Sequence, residues 1–129
     1  MEIIANGKNI PTYEFGDLLI QGEELADTII FYLDRFYNEY DLSDHSFVIT
    51  GLTSEGYEVE QALEKEVEAE RLKLIWKIAA GFTEDAGELK LCMTALPEYG
   101  EIDHIIRYAM QPVRVRPFPS GRRRPEQQQ

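Results

Sequence analysis

The chain has 129 residues, of which 43% are hydrophobic and 29% charged, a balance typical of one globular domain. Acidic residues outnumber basic ones by 24 to 13, and the resulting net charge of −11 would repel nucleic acid and anionic lipid. The single cysteine, Cys92, excludes an internal disulfide, and the apolar stretches fall far short of the ~20 residues of a membrane helix. We therefore expect a small acidic domain whose partners are neither nucleic acids nor membranes.

An alternation of apolar and polar residues predicts most of the strands, because successive side chains of a strand point to opposite faces. In chain order, the stretches with this period of two are 28–33, 45–50, 71–78, 88–95 and 113–115. Within 71–78, Leu72 and Leu74 share a face with Trp76, which predicts that Trp76 lies in the core. Turn signals such as Asn6-Gly7 separate the runs. Residues 1–118 are thus predicted to form an all-β domain, an antiparallel β-sandwich, immunoglobulin-like or related, of about eight short strands.

The acidic stretch 57–70 fits two kinds of secondary structure. Val59, Leu63 and Val67 follow one another at spacing four, which suits a helix over 58–70, but they also alternate with glutamates as strand residues would. Because a hairpin here would extend the neighbouring sheet, we predict a strand over 57–64 and a turn near 66–70. Farther along, residues 83–86 are predicted to form a single helical turn capped by Thr83.

The last residues differ in composition and charge from the rest of the chain. Residues 1–113 hold 8 basic and 23 acidic residues, whereas 114–129 hold 5 arginines and one glutamate. Residues 119–129 are rich in Pro, Arg and Gln and have no apolar period, which predicts a flexible tail. Its Arg122, Arg123 and Arg124 are either an electrostatic tether to an acidic partner or a solvated terminus.

Residue types that often carry chemistry are present but scattered. His45 and His104 lie 59 residues apart and each follows an aspartate, so we expect ordinary surface or strand-end histidines. Cys92 is predicted to face away from the leucines of its strand and to pack as a small residue. The glutamates of 58–66 indicate a solvated acidic face. We predict no catalytic residue, no cofactor and no metal site.

Aromatic residues cluster after the first strong strand. Phe36, Tyr37 and Tyr40 lie close together in the sequence and form a candidate interface patch. Alternatively, Phe36 and Tyr40 cover one end of the sandwich and pack into the core. The chain has seven tyrosines, and these are also candidate stacking platforms for a sugar.

Two stretches together resemble a known family. The first runs FYLDRFY (31–37), YDLS (40–43) and SFVI (46–49), and the second runs LIWKI (74–78), TEDAG (83–87) and LKL (89–91). This order resembles the N-terminal β-sandwich domains of tail and baseplate-associated structural proteins from phages and prophages of Gram-positive bacteria. In that family an Asp-Leu-Ser turn leads into one strand, and a Thr-x-x-Ala-Gly turn follows a Trp-bearing strand.

The resemblance implies a non-enzymatic virion protein that assembles in the bacterial host cytoplasm. Such a protein docks on other virion proteins and self-associates into a homo-oligomer, here through edge strands and the patch of Phe36, Tyr37 and Tyr40. A capsid decoration protein is a related alternative. A carbohydrate-binding module for a host surface glycan is another, and it requires exposed coplanar tyrosines or Trp76 at a groove. A small enzyme or enzyme regulator would need a pocket that holds His45 or His104 beside carboxylates.

Overall fold

The computed structural model describes residues 1–98 and 104–118, which form an all-β domain. Short 3₁₀ turns at Tyr13–Phe15, Leu42–Asp44 and Ala80–Phe82 join some of the strands. Among these described residues, no helix has the length and apolar character that a membrane crossing requires. The strands are β1 (Glu2–Ile4), β2 (Asn9–Ile10), β3 (Thr28–Asp34), β4 (Phe36–Tyr37), β5 (Tyr40–Asp41), β6 (His45–Leu52), β7 (Glu58–Ala62), β8 (Glu64–Val67), β9 (Arg71–Lys77), β10 (Gly87–Pro97), β11 (Ile106–Met110) and β12 (Val113–Val115).

Two sheets face each other across the core. The first has the order β1-β3-β9-β8, and the second has the order β2-β11-β10-β6-β7 with β12 paired to the start of β10. Most neighbours are antiparallel, but β1 pairs with β3 and β2 with β11 in parallel. The separate hairpin of β4 and β5 lies where the chain passes from the first sheet to the second.

The two sheets are connected along both sides. On one side, β7 pairs with β6 in the second sheet, and after Leu63 the same strand continues as β8, which pairs with β9 in the first. On the other side, β1 and β2 are the two arms of a turn closed by hydrogen bonds between Asn6 and Asn9, and each arm joins a different sheet. Strands that pass between the sheets in this way join them where β1, β8, β2 and β7 end the two strand orders.

Aromatic rings fill the middle of the core. Trp76 on β9 is completely buried and stacks on Phe31 of β3, with ring centroids 6.2 Å apart. Phe15 and Phe82, each the last residue of a 3₁₀ turn, contact the same indole edge-on. The indole Nε1–H donates to the side-chain oxygen of Gln61 on β7 at 3.0 Å, so a polar residue of one sheet satisfies the buried donor of the other.

The predicted sandwich is confirmed, with twelve strands rather than eight because several are only two or three residues long. Stretch 57–70 forms strands β7 and β8 followed by a turn, and no helix. The predicted helical turn with Thr83 as its N-cap is wrong. The 3₁₀ turn lies at Ala80–Phe82 instead, and Thr83 follows it, with its buried hydroxyl contacting the carbonyl oxygen of Glu23. The predicted tail, 119–129, lies outside the described residues.

Candidate functional site

One end of the sandwich carries a short hairpin, residues 36–41, which we call the aromatic hairpin. Tyr37 pairs with Tyr40 across a two-residue turn, and Asn38 adopts the positive φ of 52° that asparagine tolerates better than most residues. After the hairpin, the Asp41 carboxylate accepts a hydrogen bond from the backbone N–H of Ser43, and Leu42 is completely buried. The Asp-Leu-Ser segment therefore turns the chain and closes the core at this end.

Arg35 holds the aromatic hairpin against the rest of the domain. Its guanidinium donates to both carboxylate oxygens of Asp41, at 3.0 Å each, and to the backbone oxygen of Glu68 at 3.3 Å. The backbone of Arg35 also bonds to Leu42 and to Glu70. This paired geometry is the strong form of an arginine–carboxylate contact, and it keeps the pKa of Asp41 well below its usual range. The hairpin is thus fixed at its base on both sides.

The three predicted aromatic residues fall into two environments. Tyr37 and Tyr40 are partly buried and pack against the hydrophobic core, so the alternative of covering the sandwich end holds for Tyr40 but not for Phe36. Phe36 is 48% exposed and has the Arg35 guanidinium over its ring at 5.2 Å. The Lys8 ammonium lies 4.6 Å from the centre of the Tyr37 ring. One exposed ring, with the Arg35 guanidinium over it, therefore remains available to a partner. The predicted contacts at Arg122, Arg123 and Arg124 lie outside the described residues.

Beside the hairpin, the structure brings the two histidines into direct contact. The Nε2 atoms of His45 and His104 are 2.8 Å apart, and the His104 ring stacks on Tyr40 with centroids 3.9 Å apart. His45 is only 4% exposed, so the expectation of ordinary surface histidines is wrong. His45 is the first residue of strand β6, so its predicted position at the end of a strand is confirmed. Because β6 pairs with β10 and β10 with β11, the chain returns at residue 104 beside residue 45.

Lys65 completes this end of the molecule, and in the sequence it stands out only as the single basic residue of the acidic stretch 57–70. Its Nζ donates to the backbone oxygens of Ser43 and His45 and forms an ion pair with Glu98 at 3.2 Å. Burial is the main cause that lowers the pKa of His45, and the charges of His104 and Lys65 lower it further. The site therefore disfavours a positive charge on His45.

The other sequence candidates are structural or exposed. Trp76 is buried, so it is not a platform for a sugar. Cys92 is half-buried and points away from the leucine face of β10, as predicted. Within residues 1–98 and 104–118, no group of three or more His, Cys, Asp or Glu side chains is placed to hold a metal ion. Comparisons with protein-family models and with curated proteins find no match to this sequence.

Proposed function

We propose that this protein is a non-enzymatic structural component that docks on other proteins through the aromatic hairpin, as a part of a phage particle. The observation that carries the docking role is the side chain of Phe36, which is 48% exposed on the first strand of a firmly held hairpin, opposite Asp41. A large exposed ring on a soluble domain is a typical anchor for a protein partner. The virion setting, in a tail, a baseplate or a capsid surface, is supported by the family resemblance of residues 31–49 and 74–91.

The base of the hairpin is organised before any partner binds. Arg35 is bound to Asp41 and to two backbone oxygens of the loop that precedes β9. Less conformational entropy is lost on binding when the anchor residue is already held in place. Most of the free energy gained when a partner buries the Phe36 ring can thus contribute to affinity. The cations at this end, Arg35 over Phe36 and Lys8 over Tyr37, favour a partner surface that is acidic or rich in aromatic rings.

A second copy of the chain offers such a surface. Residues 1–113 carry a strong excess of acidic residues, and the outward glutamates of β7, Glu58 and Glu60, are exposed. A contact between the aromatic hairpin of one copy and an acidic face of the next would be head-to-tail, the kind of contact that builds rings and fibres. This supports the proposed homo-oligomer in the particle. In the same scheme the basic residues Arg122–Arg124 pair with an acidic neighbour.

The docking role is tested by measuring self-association of the full chain with light scattering over a range of concentrations. We expect Phe36→Ser to raise the dissociation constant of the multimer at least about tenfold, as loss of an interface anchor does. The matched control is Tyr13→Ser, because Tyr13 is 80% exposed at the opposite end of β10. Equal association of the two variants and the wild type would contradict the docking role. Absence of the chain from purified particles would contradict the virion role.

A second candidate function, binding of a host surface glycan, is favoured by a different place. An open groove of about 630 Å³ is lined by Tyr13, Asp17, Glu88 and Arg114, among others. An exposed ring beside carboxylates and a guanidinium is typical of sugar-binding sites. The sugar stacks on the ring, and its hydroxyl groups form hydrogen bonds with the charged groups. We expect Tyr13→Ser to abolish any binding to cell-wall polysaccharide and Phe36→Ser to leave it unchanged. Wild-type protein that binds no such polymer refutes this candidate.

A further inference from the structure

The contact between His45 and His104 has room for only one proton between the two rings. The Nε2 atoms are 2.8 Å apart, which is the distance of an N–H···N hydrogen bond. One Nε2 must carry the hydrogen and the other must offer its lone pair. The contact therefore exists only while at least one of the two rings keeps an unprotonated Nε2.

Burial decides which histidine donates. The Nδ1 atom of His45 is buried and has no hydrogen-bond partner among the described residues. If His45 accepted at Nε2, this Nδ1 would carry a buried N–H without an acceptor, which is among the rarest arrangements in folded proteins. If His45 donates from Nε2, its Nδ1 holds only a lone pair. We therefore assign His45 as the donor and His104 as the acceptor.

Protonation of His104 conflicts with this arrangement. A proton on its Nε2 would place two N–H groups opposite each other at 2.8 Å. The His45 proton could move to Nδ1 only by creating the unpaired buried N–H. The surroundings also oppose a positive charge on the histidine pair. The ammonium of Lys65 binds the backbone oxygen of His45 at 2.6 Å, and the carboxylates of Asp44 and Glu98 offset its positive charge only in part.

A charged His104 ring would still be stabilised by Tyr40. It already stacks on Tyr40 with the planes 17° apart, and a cation above a tyrosine ring is favoured. Protonation can thus separate the two histidines without unfolding the domain. Because Tyr40 belongs to the aromatic hairpin, a movement of His104 is passed directly to that hairpin.

We propose that the His45–His104 contact is an acid-sensitive latch, which holds residue 104 to β6 at neutral pH and releases it when His104 takes up a proton at acidic pH, so that the aromatic hairpin beside it changes position while its base stays fixed. The latch itself stands on the geometry of the pair. Only its consequence for docking rests on the proposed function, because the hairpin on which His104 stacks is the one that carries Phe36.

The two histidines are the only ones in the chain, so imidazole NMR signals of the full-length protein report this pair alone. At pH 7.5 we expect nitrogen shifts that show His45 protonated at Nε2 and His104 at Nδ1. On acidification, the backbone signals of residues 36–41 should change with the same midpoint as His104. Two histidines that titrate independently near their ordinary pKa, with no change in the hairpin, would overturn the proposal.

Two variants distinguish the proposed latch from a general response of the domain to acid. His104→Gln keeps an acceptor oxygen for His45 but cannot titrate, and His104→Phe keeps a ring for Tyr40 without an acceptor. We expect both to lose the pH-dependent change in the hairpin signals between pH 7.5 and 5. A change that persists in both variants with the wild-type midpoint overturns the latch. If the wild-type latch titrates as expected but self-association does not respond to pH, the proposed docking through the hairpin fails and the latch stands.

Discussion

Replacement of Gly51 by alanine tests how tightly the core is packed around Phe82. Gly51 lies in β6, and a Cβ built on it would be 2.9 Å from two ring carbons of Phe82 and 3.1 Å from a methyl carbon of Leu89. Carbon atoms pack at roughly 3.5–4.0 Å, so the new methyl group overlaps three buried atoms. The Phe82 ring cannot retreat easily, because its other side meets Trp76 at a centroid distance of 5.1 Å.

We expect Gly51→Ala to destabilise the domain by about 1–2 kcal/mol. Overpacking of a filled core typically costs roughly 1–3 kcal/mol, and the loss of glycine's freedom in the unfolded chain offsets about 0.4–1 kcal/mol of it. Urea unfolding followed by fluorescence measures the difference, since Trp76 is the only tryptophan and is buried.

Gly16→Ala is the matched control for this substitution. A Cβ on Gly16 would meet its nearest atoms at 3.6 and 3.7 Å, which is ordinary contact, and the backbone φ of −59° suits alanine. This variant should be as stable as the wild type or slightly more stable. If Gly51→Ala matches Gly16→Ala, the core around Phe82 is looser than the structure shows and the expected clash is refuted.

Three further perturbations act on polar groups. Gln61→Leu removes the acceptor of the buried Trp76 indole, so unfolding experiments should show a loss of about 1–3 kcal/mol; no loss would mean that the bond contributes nothing. Asp41→Asn should destabilise at pH 7, and the difference from the wild type should shrink as the pH falls below about 4, because the pKa of Asp41 is lowered by Arg35 and its contribution is lost only as the carboxylate protonates. Burial raises the pKa of Tyr108 to about 12, so stability should fall as the pH rises from about 10 toward 12, and Tyr108→Phe should abolish that fall.

The sequence predicts the long strands well because they are half-buried. In β9 and β10, every second residue faces the core, and that alternation is visible without any knowledge of the partners. The short strands are different, since β1, β2 and β4 are only two or three residues long and have no period to detect. Their pairing depends on tertiary neighbours, as the parallel contacts of β1 with β3 and β2 with β11 show.

The candidate site was predictable in part. Phe36, Tyr37 and Tyr40 stand close together in the sequence, so their cluster could be recognised, but the split into one exposed ring and two packed rings could not. The contact of His45 with His104 requires the register of β6 on β10, where His45 lies opposite Pro97, and the return of the chain into β11. No local signal encodes a contact that depends on two strand pairings.

The way the sheets are joined also changes where recognition is expected. β7 continues into β8 and the β1–β2 turn divides between both sheets, so each side of the sandwich is joined to the other. The four strands at these sides, β1, β2, β7 and β8, each have one paired neighbour among the described strands, so contacts through edge strands stay a prediction. The end of the sandwich is different, because a hairpin of two-residue strands projects there with Phe36 exposed. We therefore expect recognition through side chains at this end of the sandwich, in addition to the backbone of the edge strands.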